Sequence, residues 1–567
     1  AKARVTLRTP AGENTQLTQP DGSFVFPDLK ETSGVIVVSA IGFTTRSLDW
    51  NSDRGTITVT LDPATVQQSL QVTATRTPLL PTGVDDVEAQ PDAVAVPSEQ
   101  LQNWGQLTVD DKLRQVPGFS LLRRSGSQTA NPTSQGVSLR GLGASGASRA
   151  LVLRDGIPLN DPFGGWIFWG RVPEAAIDQV QVVPGGVSSL YGSQALCGVI
   201  GIQTKPALQT AATVEGSFGS ENTPFGSALA TIKAGPWVLA MSGEGFRTNG
   251  YIAVPGNLRG AVDTPIASEH RSGDVRLERM FGARQRMFLE GSIYGEGRLN
   301  GTPLQTNDVT IRQVSLGEDY DHPTAGLFTL RLFGGTESYH QTFSSIAADR
   351  NSESLTNNQH VPVQQMGFIA QWSQKMTSNF TMLAGLDGSD VEGVSQEATF
   401  SQRLPTALLS NGGRQHTLGV FLEGSVQLSR RWSLTASGRE DLWSNFDASS
   451  VRTPVAANLL AQTFFAPRGQ NSFNPRMSLS YRASDHVVLY ASGYRSFRAP
   501  TLNELYRSFR VGNVQTQANA NLRAEHFAGA EGGGRATMFD NRLAIHASLF
   551  WGYVTDSVAN VTLSVTP

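Results

Sequence analysis

Cysteine is nearly absent. Cys197 is the single one in 567 residues, so neither a disulfide scaffold nor a cysteine-based metal cluster is available. Charge is scarce too: Asp, Glu, Lys and Arg make up 16% of the chain, against about 25% in ordinary soluble proteins. The net charge of -3 leaves no basic surplus for nucleic acid. No stretch approaches ~18 consecutive apolar residues, which excludes a helical membrane span. It does not exclude a membrane β-barrel, whose strands alternate apolar and polar residues. The eight histidines (270, 322, 340, 360, 416, 486, 526, 546) are scattered, and none forms HExxH or another close ligand pair. A G-x-S-x-G elbow and a P-loop are missing as well. These absences read as a non-enzyme without cofactor or metal. Ala1 opens without a signal peptide, so a leader has been removed or the N-terminus is incomplete.

What is abundant is glycine, 58 of 567 residues, which favours turn-dense β structure over helix bundles. The length is too great for one ordinary domain, unless much of it is one large barrel. Residues 1–62 read as a small β-sandwich module. Its expected strands lie in Val5–Leu7, Gly22–Leu29, Gly34–Phe43 and Thr56–Leu61, separated by turn signals such as Pro20-Asp21-Gly22. Residues 63–97 form a linker rich in Pro, Gln and Thr, with little that could bury a core. Inside it, Leu70, Val72 and Ala74 alternate with Gln71 and Thr73, a pattern that suits strand addition to a partner.

A short helix is expected from Thr108, with Asp111 completing a capping box, Val109, Leu113 and Val116 on one face, and Pro117-Gly118 ending it. From Ser138 to Lys205, short apolar strands (Ala150–Leu153, Val180–Val183, Val199–Gln203) alternate with glycine-rich turns. Gly141, Gly143 and Gly146 satisfy G-x-G-x-x-G, but a strand follows instead of a helix, so a dinucleotide site is rejected on context. Arg140, Arg149, Arg154 and Arg171 need carboxylates or water if this domain is enclosed, because an unpaired buried charge is expensive. Cys197 reads as a small packed residue.

From Leu208 onward the period is two. Val275 and Leu277 alternate with Asp274, Arg276 and Glu278; Met287, Leu289 and Ile293 with Glu290 and Ser292; Leu418, Val420 and Leu422 with Glu423. Strands near ten residues are expected, with long polar loops at 299–326, 398–414 and 451–474. Trp432, Trp443, Tyr481, Tyr490, Tyr494 and Tyr553 are expected in interfacial girdles, and Glu244, Glu290 and Glu423 in the lumen.

The wording from Ser138 to Lys205, together with GYRSFRAPTLNELYRSFRVGN (Gly493–Asn513) and NLRAEHF (Asn521–Phe527), closely resembles the plug and barrel blocks of TonB-dependent outer-membrane receptors. The matching motifs span roughly residues 70–531. The implied fold is mostly β: an N-terminal β-sandwich module, a small α/β plug domain, and a transmembrane antiparallel β-barrel of about 22 strands. The implied domains are 1–62, similar to a carboxypeptidase-regulatory-like domain; 63–97, a linker whose SLQVTATRTP resembles a TonB box at Leu70, Gln71, Val72, Thr73 and Ala74; 98–205, the plug; and 206–567, the barrel. About 22 strands need ~220 residues before outer loops are counted, so the barrel is expected to be incomplete at its C-terminus.

The resemblance implies TonB-dependent import of a siderophore, cobalamin, haem or oligosaccharide across the outer membrane of a Gram-negative bacterium. The implied partners are TonB with its inner-membrane motor, outer-membrane lipid and the ligand, with no nucleic acid. Within it, Arg140 with Glu423 and Glu525 are the candidates for a plug–barrel lock, and Trp166, Phe168 and Trp169 for a ligand route. A surface ligand-binding or adhesion protein on the same barrel is the alternative.

Overall fold

In the computed structural model the described residues are 3–9, 12–19, 21–26, 32–39, 46–51, 57–60, 93–123, 125–143, 145–456, 460–511, 514–539 and 542–564. Leu70–Ala74 therefore lie outside them. The chain divides into two compact units, residues 1–71 with 483–488 and 534–547, and the remainder. Among the described residues no helix is long and apolar enough to cross a membrane, a statement that does not bear on strands.

The N-terminal stretch forms a four-stranded sheet of β1 (Arg4–Thr9), β2 (Gly12–Leu17), β3 (Ser33–Ser39) and β4 (Arg46–Asn51) in the order β2-β1-β3-β4. Val5, Leu7, Ile36 and Val38 form its core, with Phe24, Phe26, Ile57 and Val59 packed against them. The strands expected at Gly22–Leu29 and Thr56–Leu61 correct themselves here. Their described residues, 22–26 and 57–60, are irregular, and GENTQL and RSLDWN make the ladders instead. Phe24 and Phe26 were apolar because they are packed, not because they are paired.

The small domain of the second unit starts with β5 (Val94–Pro97), α1 (Ser98–Asn103) and α2 (Val109–Leu113), then β6 (Phe119–Leu121), β7 (Val137–Leu139), β8 (Leu151–Arg154), β9 (Ile157–Pro158), β10 (Ile177–Pro184), α3 (Ser188–Tyr191) and β11 (Gly198–Thr204). Five of these strands make a mixed sheet in the order β5-β10-β11-β8-β9, with β11 parallel to β8. Its apolar face is covered by α1, α2 and the turn after α2 through Leu101, Val109, Leu113 and Val116, all buried with Val152, Val180 and Ile200. Asp155-Gly156, at φ +48° and +88°, closes the two-residue β8–β9 hairpin, where both positions need the left-handed region. Gly198 is at φ +143°, and a Cβ there would lie 2.3 Å from the Val183 carbonyl oxygen, so the β10–β11 pair closes only over glycine.

Among the described residues sixteen further strands build one antiparallel sheet: β12 (Ala211–Gly219), β13 (Thr223–Ala234), β14 (Trp237–Tyr251), β15 (Ile266–Phe281), β16 (Gln285–Asn300), β17 (Thr306–His322), β18 (Gly326–Ile346), β19 (Glu353–Thr377), β20 (Phe380–Ser401), β21 (Leu404–Gln427), β22 (Trp432–Pro454), β23 (Ala461–Phe464), β24 (Arg468–Ser484), β25 (Val487–Arg498), β28 (Glu525–Met538) and β29 (Leu543–Thr555). Between β25 and β28 run α4 (Leu502–Tyr506) and the hairpin β26 (Phe509–Val511) and β27 (Val514–Thr516). The register places Leu277, Leu289, Leu316 and Leu332 in one row across four strands, and all four are exposed. On the opposite face Glu278, Glu290, Ser315 and Arg331 are buried. The sheet thus has an apolar outside and a polar inside, as period-two patterning requires.

Strand length corrects the ten-residue expectation. β19 runs 25 residues and β21 runs 24. The supposed loop 299–326 contains β17, and 398–414 is a hairpin turning at Gln402-Arg403, both at positive φ. In 451–474, β23 and the first residues of β24 are paired strand. The aromatic girdle is corrected in part. Trp432 stacks beside Tyr481 with ring centroids 4.5 Å apart, and Tyr553 is exposed, whereas Trp443, Tyr490 and Tyr494 are buried.

Candidate functional site: the small domain against the wall

The small domain meets inward side chains of the wall from β13 to β28, through an apolar cluster in which Phe163, Trp166 and Phe168 pack with Tyr294, Ile311 and Tyr339, and through polar contacts. Glu174 donates its backbone N–H to Glu244 Oε2 at 2.7 Å on β14, and Ala175 N–H donates to Ser227 Oγ at 3.0 Å on β13. Arg171 donates to Gln313 Oε1 at 2.7 Å on β17. Three arginines of the small domain end on buried wall carboxylates.

Arg154, the last residue of β8, pairs with Asp274 at 2.5 Å and Glu290 at 2.9 Å. Its neighbour Asp155 accepts from Arg276 at 3.0 Å, so charges of both signs cross the gap in both directions. Arg149 donates to Glu525 from Nη2 at 2.7 Å and Nε at 3.3 Å. Glu525 accepts in turn from Arg498 Nε at 2.5 Å and Val558 N–H at 2.8 Å. Arg498 is itself clamped by both oxygens of Glu504 at 3.0 Å, the residue that completes the capping box of α4 with Thr501. Arg140 pairs with Glu531, which also accepts from Ser492 Oγ at 2.7 Å. Arg140 sits at φ +54°, a conformation that costs a non-glycine residue about 1–3 kcal/mol and that its surroundings must hold.

The structure therefore brings Arg140 and Glu525 to the same interface but gives each a different partner: Glu531 for Arg140, Arg149 for Glu525. Glu423 is buried on β21 opposite Ser437 and makes no ion pair among the described residues. Glu531 was missed although the signal was present, because residues 525 and 531 are an even number apart and lie on one face of β28. Glu244 and Glu290 do face inward, as their parity requires. Trp166 and Phe168 pack on the wall, with centroids 6.2 Å from Tyr339 and 6.0 Å from Tyr294. Trp169 instead joins the core of the small domain beside Phe119.

Cys197 is buried, donating to the Arg149 carbonyl at 3.1 Å and accepting from Leu139 N–H at 3.3 Å. Burial pushes its thiol up to about 11. The neutral form is favoured in the folded state, so this contribution to stability holds below the ordinary cysteine range and is lost as pH climbs toward that value. Native protein at pH 8.5 should react with iodoacetamide about a hundred-fold or more slowly than urea-unfolded protein, because the thiolate is the nucleophile. Equal rates would mean that Cys197 is accessible.

Residues 260–567 match the family described as TonB dependent receptor-like, beta-barrel, and residues 86–199 match TonB-dependent Receptor Plug Domain. The chain is 24% identical over 453 residues to the vitamin B12 transporter BtuB of Vibrio vulnificus strain YJ016, covering 78% of this chain and 64% of that one. The chain thus spans 64% of the length of that curated relative. Among solved structures, copper transporter OprC aligns with a TM-score of 0.69 at 17% identity, covering 82% of this chain and 73% of that one. The ferric yersiniabactin uptake receptor FyuA of Yersinia pestis aligns at 0.63 with 16% identity, covering 82% and 72%. At these identities the likeness is one of fold.

Proposed function

This chain belongs to the TonB-dependent receptor family, and we propose on that premise that it imports a scarce solute across the outer membrane of a Gram-negative bacterium. The solute class spans siderophore, cobalamin, haem and oligosaccharide. In this reading residues 94–205 are the plug, since Val94–Pro97, expected in the linker, pairs with β10, and 206–567 are the wall of a barrel in lipid. Residues 63–93 are a linker that presents Leu70, Gln71, Val72, Thr73 and Ala74 to TonB, and 1–62 are a carboxypeptidase-regulatory-like module that spaces or stabilises the N-terminus. No bond is made or broken; energy enters as force on a strand recruited through its backbone.

The observation that supports this reading most is the chemistry of the plug–wall gap. Beside the apolar patch that Phe163, Trp166 and Phe168 make with the wall, arginine–carboxylate pairs seat the plug in one geometry yet leave polar surfaces that water can re-solvate when they part. Trp166 and Phe168 sit where the plug touches the wall, and in this reading they line the solute's route past it.

Deleting residues 69–75 is the test. Uptake of the solute that supports growth should fall to background while the protein reaches the membrane in normal amount. Undiminished function would favour the alternative, a surface ligand-binding or adhesion protein on the same barrel.

A further inference from the structure

Between the plug and the inward face of β18–β22 lies a cavity of about 180 Å³, roomy enough for several waters or for one sugar ring. Its charged lining is already engaged. Arg439 is held by Asp387 at 2.5 Å and Asp441 at 2.8 Å, Asp155 by Arg276 at 3.0 Å and Arg331 by Asp319 at 2.7 Å. What the cavity has left to offer is neutral. Gln194 from the plug and Gln365 and Gln371 from β19 line it, and their carboxamides make no hydrogen bond among the described residues. Trp443, also in the lining, is buried with its indole N–H unpartnered. Tyr191 and Phe333 add aromatic surface.

Carboxamides donate and accept at once, and beside aromatic faces they suit a ligand that presents hydroxyls around apolar ring faces. An anionic chelate would bring charge to a site whose cations are all spent, and a buried polar group left unpaired costs about 1–3 kcal/mol. We propose that this cavity is a binding site for a neutral polyhydroxylated solute, taken one sugar ring at a time along the β18–β22 side of the plug. The proposal rests on the transport reading for its place in the import path, but its test is one of binding.

Purified full-length chain in detergent, with its folded barrel checked by heat-modifiable gel mobility, is titrated with maltotriose, ferric citrate and cyanocobalamin while tryptophan emission is followed. Maltotriose is expected to give a saturable change. Trp443→Phe should remove that change, and Gln365→Leu with Gln371→Leu should weaken binding tenfold or more. Gln194→Leu, on the plug side, should weaken it independently. A change that survives Trp443→Phe and the glutamine variants, or saturation by ferric citrate or cyanocobalamin and not by maltotriose, would overturn the assignment. Loss of uptake on deleting residues 69–75 would still stand in that case, so the two readings fail separately.

Discussion

Glutamine in place of Glu525 is expected to loosen the seated plug by about 3–5 kcal/mol, the usual cost of stripping one partner from a buried ion pair. Glu525 is fully buried and neutralises two guanidiniums at once, Arg149 of the plug and Arg498 of the wall. The substitution keeps the side chain's shape and removes its charge. Arg498 retains Glu504, through two bonds at 3.0 Å, so the wall keeps a counter-ion. Arg149 keeps only neutral acceptors, the Gly143 carbonyl at 2.8 Å among them. The loss therefore falls mainly on the plug side. In planar bilayers, Glu525→Gln should show frequent conducting events where the parent is closed, and residues 93–205 should become sensitive to protease added from the plug side. A silent bilayer trace with normal protease resistance would mean that this pair contributes little to seating.

Methionine in place of Arg154 is the second large change. It leaves Asp274 and Glu290, on adjacent wall strands, without the plug cation that both contact at under 3 Å. Glu290 keeps Arg276 at 3.5 Å and Asp274 keeps Ser242 at 3.1 Å, weak replacements for a shared guanidinium. The expected cost is again about 3–5 kcal/mol, with the same electrical readout. The two sites share no residue, so Glu525→Gln and Arg154→Met together should add within about 0.5 kcal/mol. Strong non-additivity would show that the plug lets go as one cooperative piece instead of at separate latches.

Much of this interface could be read from the sequence by parity alone. Asp274, Arg276 and Glu278 alternate with Val275 and Leu277, and that alternation alone sets the polar face of β15. The same rule, applied to Arg439, Asp441 and Trp443, places Trp443 inside the wall; grouping it with the girdle aromatics followed its chemistry and ignored its position. Glu531 was legible in the same way from Glu525. The partner of Arg140 was not, since pairing across 391 residues depends on how the plug sits, and no local pattern encodes that.

Strand length was hidden for a different reason. In the upper part of β21, ALLSNGGRQH, the outer side chains are no longer all apolar, so alternation fades while the backbone ladder continues. Hydrophobic periodicity reports what surrounds a strand, and hydrogen bonding carries the strand past that point. The N-terminal module shows the converse. GENTQL carries no apolar pattern, yet pairs residue for residue with β1.

The most direct test of the central claim is to pull on residues 69–75 of a single chain held in a supported bilayer while recording ion current. The plug is expected to yield first, in steps that Glu525→Gln and Arg154→Met each lower in force, with current appearing while the wall strands stay in place. Wall strands leaving before the plug, or a plug drawn out with no current, would contradict that claim.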